Sequence, residues 1–191
     1  MSIAPAVPDT HHHDLLLMPP DNTLGHQVAE LVNRCPPLDT NSTYCNLLQC
    51  HHFANTSCAA LTPNKRLVGF VSGYIVPQAP DTLFIWQVAV DHSQRGKQLG
   101  MAMMLDILSR PACRNVHFIE TTVTDSNQAS MAMFQKLAAR VGAADITAST
   151  LFDRQRHFLG LHDSETLFRI GPFGLHGKPL NSSGNHTHEN F

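Results

Sequence analysis

Residues 84–102 read FIWQVAVDHSQRGKQLGMA, and this stretch decides the fold of the 191-residue chain. Apolar and β-branched residues continue up to Val90, which predicts a buried strand, and the helical spacing of apolar residues resumes at Leu99. A short basic loop with Gly96 and Gly100 lies between the two elements. Main-chain N–H groups and the positive end of the helix dipole meet in such a loop. The stretch therefore predicts a phosphate-binding site.

Two common phosphate-binding patterns are absent from this loop. The sequence has neither GxxxxGK[ST] nor GxGxxG, so neither a nucleotide triphosphatase nor a dinucleotide-binding fold is indicated. Residues 95–100, RGKQLG, instead resemble the acetyl-CoA loop of the GCN5-related N-acetyltransferase superfamily, Arg/Gln-x-x-Gly-x-Gly/Ala. Gln98 stands where that family usually has its first glycine. Asn127, at the start of a later helix, matches the superfamily at a second place.

This resemblance implies acetyl-CoA as the co-substrate and no metal. Main-chain N–H groups near Val88 and Val90 are expected to hold the pantetheine and to polarise the thioester carbonyl. A branched side chain at Gly100 is expected to meet the ligand. The residues predicted to bind acetyl-CoA are Val88, Val90, Arg95, Gly96, Lys97, Gln98, Leu99, Gly100, Met101 and Asn127.

Hydrophobic periodicity on both sides of the loop predicts the remaining elements. Helices are predicted over Leu24–Cys35, Tyr44–Phe53, Leu99–Ser109 and from Ser126 or Asn127 to Val141. Strands are predicted over Ser57–Leu61, Leu67–Val76, Leu83–Val90, Phe118–Val123, Ile146–Leu151 and Glu165–Ile170. The expected fold is α/β (α+β), with one mixed, mostly antiparallel sheet flanked by helices. The domain is expected over residues 15–174, between mobile tails at 1–14 and 175–191.

Composition excludes several classes of protein. With 13 Lys+Arg against 15 Asp+Glu, the net charge is −2 and no basic cluster indicates a nucleic-acid partner. No apolar run approaches the roughly 18 to 20 residues of a membrane span, and no secretory signal is visible, so a cytoplasmic protein is expected. Five cysteines without CxxC spacing favour reduced thiols. The histidines at 11–13 are interpreted as part of a solvated tail.

Four separated segments narrow the resemblance. Residues 36–42 (PPLDTNS), 81–90 (DTLFIWQVAV), 119–123 (IETTV) and 162–165 (HDSE) are together similar to the L-2,4-diaminobutyric acid acetyltransferase family of ectoine biosynthesis. The similarity extends over nearly all of the predicted domain. It implies transfer of acetyl from acetyl-CoA to the γ-amino group of diaminobutyrate. We expect this transfer to be direct, in a ternary complex and without a covalent acyl-enzyme.

A substrate with two ammonium groups and one carboxylate requires anions and at least one donor in its pocket. Asp39 and Glu120 are the acids least explained by solvent exposure. Asp39 is predicted to fix an ammonium group. Glu120, inside an otherwise apolar strand, is predicted to be the general base, directly or through water, because an ammonium must lose a proton before it attacks. The alternative for Glu120 is an outward-facing strand residue.

Four further residues have more than one interpretation each. Trp86 is either a core residue or a wall of the amine pocket with its ring face near an ammonium. Tyr44 either donates to a carboxylate, or acts as an acid, or packs its ring against the fold. His162 and Glu165 are candidate substrate contacts, although a pair that satisfies its own hydrogen bonds is favoured. Residues 130–135 lack the tyrosine that many acetyltransferases use to protonate the leaving thiolate.

Three alternatives to this reaction stay open, and one partner, a second copy of the chain, is expected. The acceptor could be another amine, the chain could bind acetyl-CoA without catalysis, and Cys45 or Cys50 could carry the acyl group. A homodimer is expected, because apolar residues near the C-terminus would leave a surface for a second copy to cover. Those residues are Leu167, Phe168, Ile170 and Phe173.

Overall fold

The computed structural model describes residues 14–174, so the two predicted tails lie outside the described residues apart from Asp14. The strands are β1 (Leu16–Met18), β2 (Cys58–Leu61), β3 (Leu67–Val76), β4 (Ala79–Val90), β5 (Phe118–Val123), β6 (Asp145–Phe152) and β7 (Glu165–Gly171). The helices are α1 (Gly25–Asn33), α2 (Thr43–His52), α3 (Leu99–Ser109) and α4 (Gln128–Val141).

The seven strands form one sheet in the order β1-β2-β3-β4-β5-β7-β6. Only β4 and β5 are parallel, which confirms the predicted mixed, mostly antiparallel sheet. The sequence pattern missed β1, whose three residues are too few to show an alternation. It is a strand because Leu16 pairs with Leu61 of β2.

Local signals explain where the helices begin and end. Asp21 accepts a hydrogen bond from the Thr23 amide and caps a short 3-10 turn, so α1 begins at Gly25, just after the predicted Leu24. Ser42 accepts from the Cys45 amide and starts α2. Gly142, with φ +66°, ends α4 as predicted, because this left-handed conformation favours glycine.

Two apolar layers cover the sheet unequally. On one face, α3 and α4 pack on the strands around Met103, Leu137 and Ile119. On the other, α1 and α2 pack on β2, β3 and β4 around Val28 and Phe70. The second layer ends at β4, so the adjoining face of β5, β7 and β6 is left accessible. Among residues 14–174, no helix is both apolar and long enough to cross a bilayer.

The predicted apolar surface near the C-terminus is wrong for two of its four residues. Ile170 and Phe173 are 0% and 1% exposed and belong to the layer under α3 and α4. Ile170 is buried because β7 lies between β5 and β6, so its alternate side chains face the core of the same chain. Phe173 follows β7, and its amide donates to the His117 carbonyl at 3.0 Å. Leu167 and Phe168 are half-buried.

Candidate active site

The parallel strands β4 and β5 separate in the middle of the sheet. Their pairing runs from Thr82 and Phe118 to Ile85 and Thr121 and stops there. The register between β3 and β4 shifts at the same level, which leaves Trp86 as an extra residue on β4. From residue 86 to residue 90, β4 has a strand neighbour only on the β3 side, within the part of the chain that is described. Its other edge presents main-chain groups that an extended ligand can pair with.

The loop after β4 is held firmly at its start. The Asp91 carboxylate accepts from the Ser93 amide at 3.0 Å and from the Ser93 hydroxyl at 2.7 Å. Burial raises the pKa of Asp91, but the Ser93 hydrogen bonds and the Arg66 guanidinium outweigh it and hold the pKa below its ordinary value. Arg95 Nε donates to the Val90 carbonyl at 3.3 Å. The loop therefore leaves the strand in one fixed direction.

The middle of the loop is open. Gly96 has φ +75°, and no heavy atom lies within 4 Å of the position that a Cβ would take. Lys97 is exposed, with its ammonium 3.3 Å from the Gln94 side-chain oxygen. The loop ends at Gln98, where the N-terminus of the 11-residue helix α3 begins. The loop thus joins positive charge to a helix N-terminus, and the binding of a phosphate there stays a prediction.

The contact of a side chain at Gly100 with the ligand stays a prediction, but the structure gives this glycine a packing role. A Cβ at this position would lie 3.2 Å from Val88 Cγ1 and 3.2 Å from Met133 Sδ. Gly100 therefore allows α3 to approach β4 and α4 closely. Leu99 is 1% exposed, so its side chain is also in the core. These two residues and the half-buried Met101 have only main-chain groups to offer a phosphate from the start of α3.

Gln98 has φ +60°, the left-handed conformation that favours glycine. Replacing Gln98 with glycine is expected to raise the free energy of unfolding by roughly 0.5 to 1 kcal/mol, because strain in the folded loop is relieved and only partly offset by a more flexible unfolded chain. Urea unfolding at constant m-value measures this change. A lower stability would contradict the explanation. As a control, Gly142→Gln should lower stability, since it places a side chain at φ +66°.

Across the gap between β4 and β5, Asp39 and His162 come together, and Glu165 is close enough for its charge to act on His162. His162 Nε2 lies 3.2 Å from Asp39 Oδ2, and Nδ1 lies 2.7 Å from the Asp163 carbonyl. The Asp163 carbonyl, Asp39 and Glu165 together raise the pKa of His162. Burial, aided by the charge of Asp39, raises the pKa of Glu165, against the lowering effects of Thr122 and His162. Two carboxylates and one histidine from distant segments thus form an anionic cluster.

Trp86 and Tyr44 are both accessible. They are 44% and 70% exposed, so the interpretation of Trp86 as a core residue is wrong, and so is the packing of the Tyr44 ring against the fold. The rings of Trp86 and Tyr74 pack edge to face, with their centroids 6.5 Å apart. Both rings line an open groove of about 500 Å³, together with Phe53. Gln87, next to Trp86, donates from Nε2 to the Asp39 carbonyl at 2.8 Å. This bond holds the segment that carries Asp39 close to the aromatic groove.

Glu120 lies on the accessible face of the sheet, because the neighbouring Ile119 and Thr121 face the core. Its carboxylate is half-buried and forms an ion pair with Arg169. The Arg169 guanidinium also lies 3.9 Å above the ring of Phe118. The positive charge of Arg169 therefore balances the negative charge of Glu120. Sequence reasoning missed Arg169, since a cross-strand pair between residues 49 positions apart leaves no local signal.

The remaining predicted groups have structural partners of their own. Asn127 Oδ1 accepts from the Ser130 amide and caps α4. Burial raises the pKa of Cys45, and it raises that of Cys50 to about 11, so neither thiol is a ready nucleophile. In residues 14–174, no three His, Cys, Asp or Glu side chains are grouped as a metal site.

Comparisons with known proteins agree with this geometry. Residues 25–139 match the model of the Acetyltransferase (GNAT) family. The L-2,4-diaminobutyric acid acetyltransferase of Methylotuvimicrobium alcaliphilum is 48% identical over 159 residues, which is 83% of this chain and 91% of the relative. The enzyme of the same name from Halomonas elongata is 41% identical over 172 residues, 90% of this chain and 88% of the relative.

A similar solved structure is diaminobutyrate acetyltransferase EctA from Paenibacillus lautus, in complex with L-2,4-diaminobutyric acid and coenzyme A. It has 35% sequence identity and a TM-score of 0.80, and the match covers 89% of this chain and 98% of that one. The ribosomal-protein-S18-alanine N-acetyltransferase from Escherichia coli shares the fold at 17% identity and a TM-score of 0.58. This chain therefore belongs to the GNAT acetyltransferases and, within them, to the L-2,4-diaminobutyric acid acetyltransferases.

Proposed function

We propose that this protein transfers the acetyl group of acetyl-CoA to the γ-amino group of L-2,4-diaminobutyrate, a step of ectoine biosynthesis. The observation that carries the proposal is the anionic cluster of Asp39, His162 and Glu165, which Gln87, the residue after Trp86, ties to β4 through the Asp39 carbonyl. Two carboxylates and an aromatic face suit a substrate with two ammonium groups. The family membership supports the same substrate.

In this proposal acetyl-CoA lies along the free edge of β4. The main chain near Val88 and Val90 pairs with the pantetheine, and the loop from Gly96 to the start of α3 binds the pyrophosphate through its N–H groups. Arg95 and Lys97 add positive charge at the rim. The thioester then lies where β4 and β5 separate, next to the aromatic groove lined by Trp86 and Tyr74. The acetyl carbonyl is polarised by a main-chain N–H of β4.

The amine attacks directly. The γ-ammonium first gives a proton to a carboxylate, and the nitrogen lone pair then forms a bond to the carbonyl carbon. The C–S bond breaks, and the CoA thiolate takes up a proton from water or the proton released by the amine. We propose Glu165 as the acceptor of the amine proton. Burial raises the pKa of Glu165, whereas the carboxylate of Glu120 is held in an ion pair with Arg169. Asp39 holds an ammonium group, and Tyr44 and His162 orient the substrate.

An amine screen tests the proposed substrate. The release of the CoA thiol is measured with diaminobutyrate, ornithine, lysine, spermidine and an aminoglycoside, and diaminobutyrate is expected to give the highest kcat/KM. A higher value for another amine would assign a different acceptor. Tight CoA binding without turnover of any of them would identify a non-catalytic binding module.

We propose a homodimer that forms through β6. This strand is exposed over its whole length at the edge of the sheet, and it carries three apolar side chains, Ile146, Leu151 and Phe152, that are 38–43% exposed. An exposed apolar edge strand is a surface that a second copy covers well.

Sedimentation tests the dimer. The wild type is expected to sediment at twice 21.0 kDa at micromolar concentration. Replacing Leu151 with lysine should shift the protein to a monomer, because a charge on the edge opposes pairing. A single monomeric species for the wild type would overturn the proposal. Arg156→Lys, a conservative change at an exposed position outside β6, is the control.

A cytoplasmic location completes the proposal. All five cysteines lie within residues 14–174, and none of them is in a disulfide. Four of them are buried, as structural thiols in a reducing compartment commonly are. An osmoprotective role follows from ectoine being a compatible solute.

A further inference from the structure

A layer of polar side chains lies buried between α2 and the sheet. Asn46 and Gln49 of α2 and Ser72 of β3 are each 0% exposed, and Gln87 of β4 is 6% exposed. Residues of this kind are rarely so deeply buried without partners. Their position in the core therefore requires an explanation.

The four side chains belong to the facing sides of α2 and the sheet. Phe70 pairs with Ala89 across β3 and β4 in the apolar layer under α1 and α2, and Ser72 pairs with Gln87 two residues further along. Side chains two apart on a strand share a face. Cys50 of α2 belongs to the same apolar layer, and Asn46, one helical turn earlier, lies on the same face of the helix as Cys50. The polar layer is therefore a continuation of the apolar one.

Most of the polar atoms of this layer lack partners. Within the described residues, Asn46 Nδ2, Asn46 Oδ1, Gln49 Oε1 and Ser72 Oγ accept or donate no hydrogen bond. Gln49 Nε2 has only the Cys45 sulfur, at 3.7 Å. A buried polar group without a partner destabilises the fold by about as much as a lost hydrogen bond. These atoms therefore point to a bound group that satisfies them.

The chemistry of the layer selects the ligand. It offers an amide donor, two amide acceptors and a hydroxyl that can do both, with no formal charge among Asn46, Gln49 and Ser72. An ion would find no countercharge here, and an apolar group would leave the same atoms unsatisfied. Water both donates and accepts, and it is stably buried when it has two to four polar partners.

Gln87, which pairs with Ser72 across β3 and β4, connects this layer to the segment that carries Asp39. Its Nε2 donates to the Asp39 carbonyl at 2.8 Å, and its Oε1 accepts from Asn41 Nδ2 at 3.4 Å. We propose that the layer of Asn46, Gln49 and Ser72 is a buried water-binding site, and that it sets the position of Asp39 through Gln87. The functional half of this inference rests on the proposed function, because Asp39 is the ammonium ligand there.

A crystal structure of the full-length wild type, at a resolution that shows buried water, tests the site directly. Ordered water is expected within hydrogen-bond distance of Asn46 and Ser72, both with and without CoA. Direct hydrogen bonds among Asn46, Gln49 and Ser72 with no water between them would overturn the site. This readout does not depend on the acceptor, so it remains decisive even if the wild type fails to bind diaminobutyrate and the proposed function fails.

Calorimetric binding tests the positioning role. Replacing Asn46 with leucine, similar in size but without polar atoms, is expected to raise the Kd for diaminobutyrate about fivefold, with the Kd for CoA within about twofold of the wild type. Ser72→Ala should act in the same direction and serves if the first variant fails to fold. Asn33→Leu, the same change at an exposed position of α1, should leave both Kd values unchanged. Wild-type binding of diaminobutyrate by Asn46→Leu and Ser72→Ala would overturn the role of the layer.

Discussion

Replacing Glu165 with glutamine is expected to lower kcat for diaminobutyrate acetylation by about 10²- to 10⁴-fold, the usual contribution of a positioned general base. The change removes the proton acceptor but keeps the shape of the side chain. Because burial raises the pKa of Glu165 above its ordinary value, wild-type kcat should fall as the pH drops through that raised pKa. The variant should lose this acid limb. Steady-state kinetics from pH 4 to pH 9 measure both effects.

Glu120→Gln is the matched comparison, since it makes the same chemical change on β5, the strand that pairs with the strand of Glu165. Its carboxylate is already paired with Arg169, so the variant is expected to keep the acid limb and most of its kcat. If Glu120→Gln loses the limb and Glu165→Gln keeps it, the base is Glu120, as the sequence alone predicted. Thermal unfolding of both variants separates a lost base from a lost fold.

Replacing Asp39 with alanine is expected to raise the KM for diaminobutyrate about 10- to 100-fold, the loss expected for a hydrogen bond to a charged group. The KM for acetyl-CoA should stay within about twofold, because the phosphate loop lies on the other side of the opening. The Asp39 carbonyl, which accepts from Gln87, is retained in the variant, so the segment should stay in place.

Asp39→Asn separates charge from shape. It keeps an oxygen acceptor and removes the negative charge, and it should give a KM between those of the wild type and the alanine variant. An equal rise in both KM values would contradict the assignment of Asp39 to the acceptor side. The pKa of His162 gives a second check. It should be lower in Asp39→Asn than in the wild type, because the charge of Asp39 contributes to raising it.

Much of the fold follows from local sequence. The predicted bounds of β3, α3 and β5 match the observed ones, because alternation and helical periodicity are properties of short segments. The phosphate loop is also local, since a strand, a turn and a helix N-terminus follow each other along the chain. Asp91 fixes the start of that loop through Ser93, only two residues away.

The acceptor site depends on long-range pairing. The Asp39 to His162 contact joins residues 123 positions apart, the Glu120 to Arg169 ion pair joins residues 49 apart, and Gln87 reaches Asp39 across 48. None of these pairings leaves a periodic signal, so composition and spacing could name the acids but not their partners. The same limit applied to Gly100, whose small size serves helix packing.

The sequence by itself thus determined most of the elements, the strand-loop-helix that we propose binds acetyl-CoA and, through family resemblance, the acceptor. Only the tertiary structure decided the partners and the surroundings of these carboxylates. It pairs Glu120 with Arg169 across β5 and β7, and it leaves Glu165 half-buried beside Asp39 and His162. The physical reason is that the charge and proton affinity of a carboxylate depend on its burial and on its neighbours in space, which are brought together only when the sheet has formed.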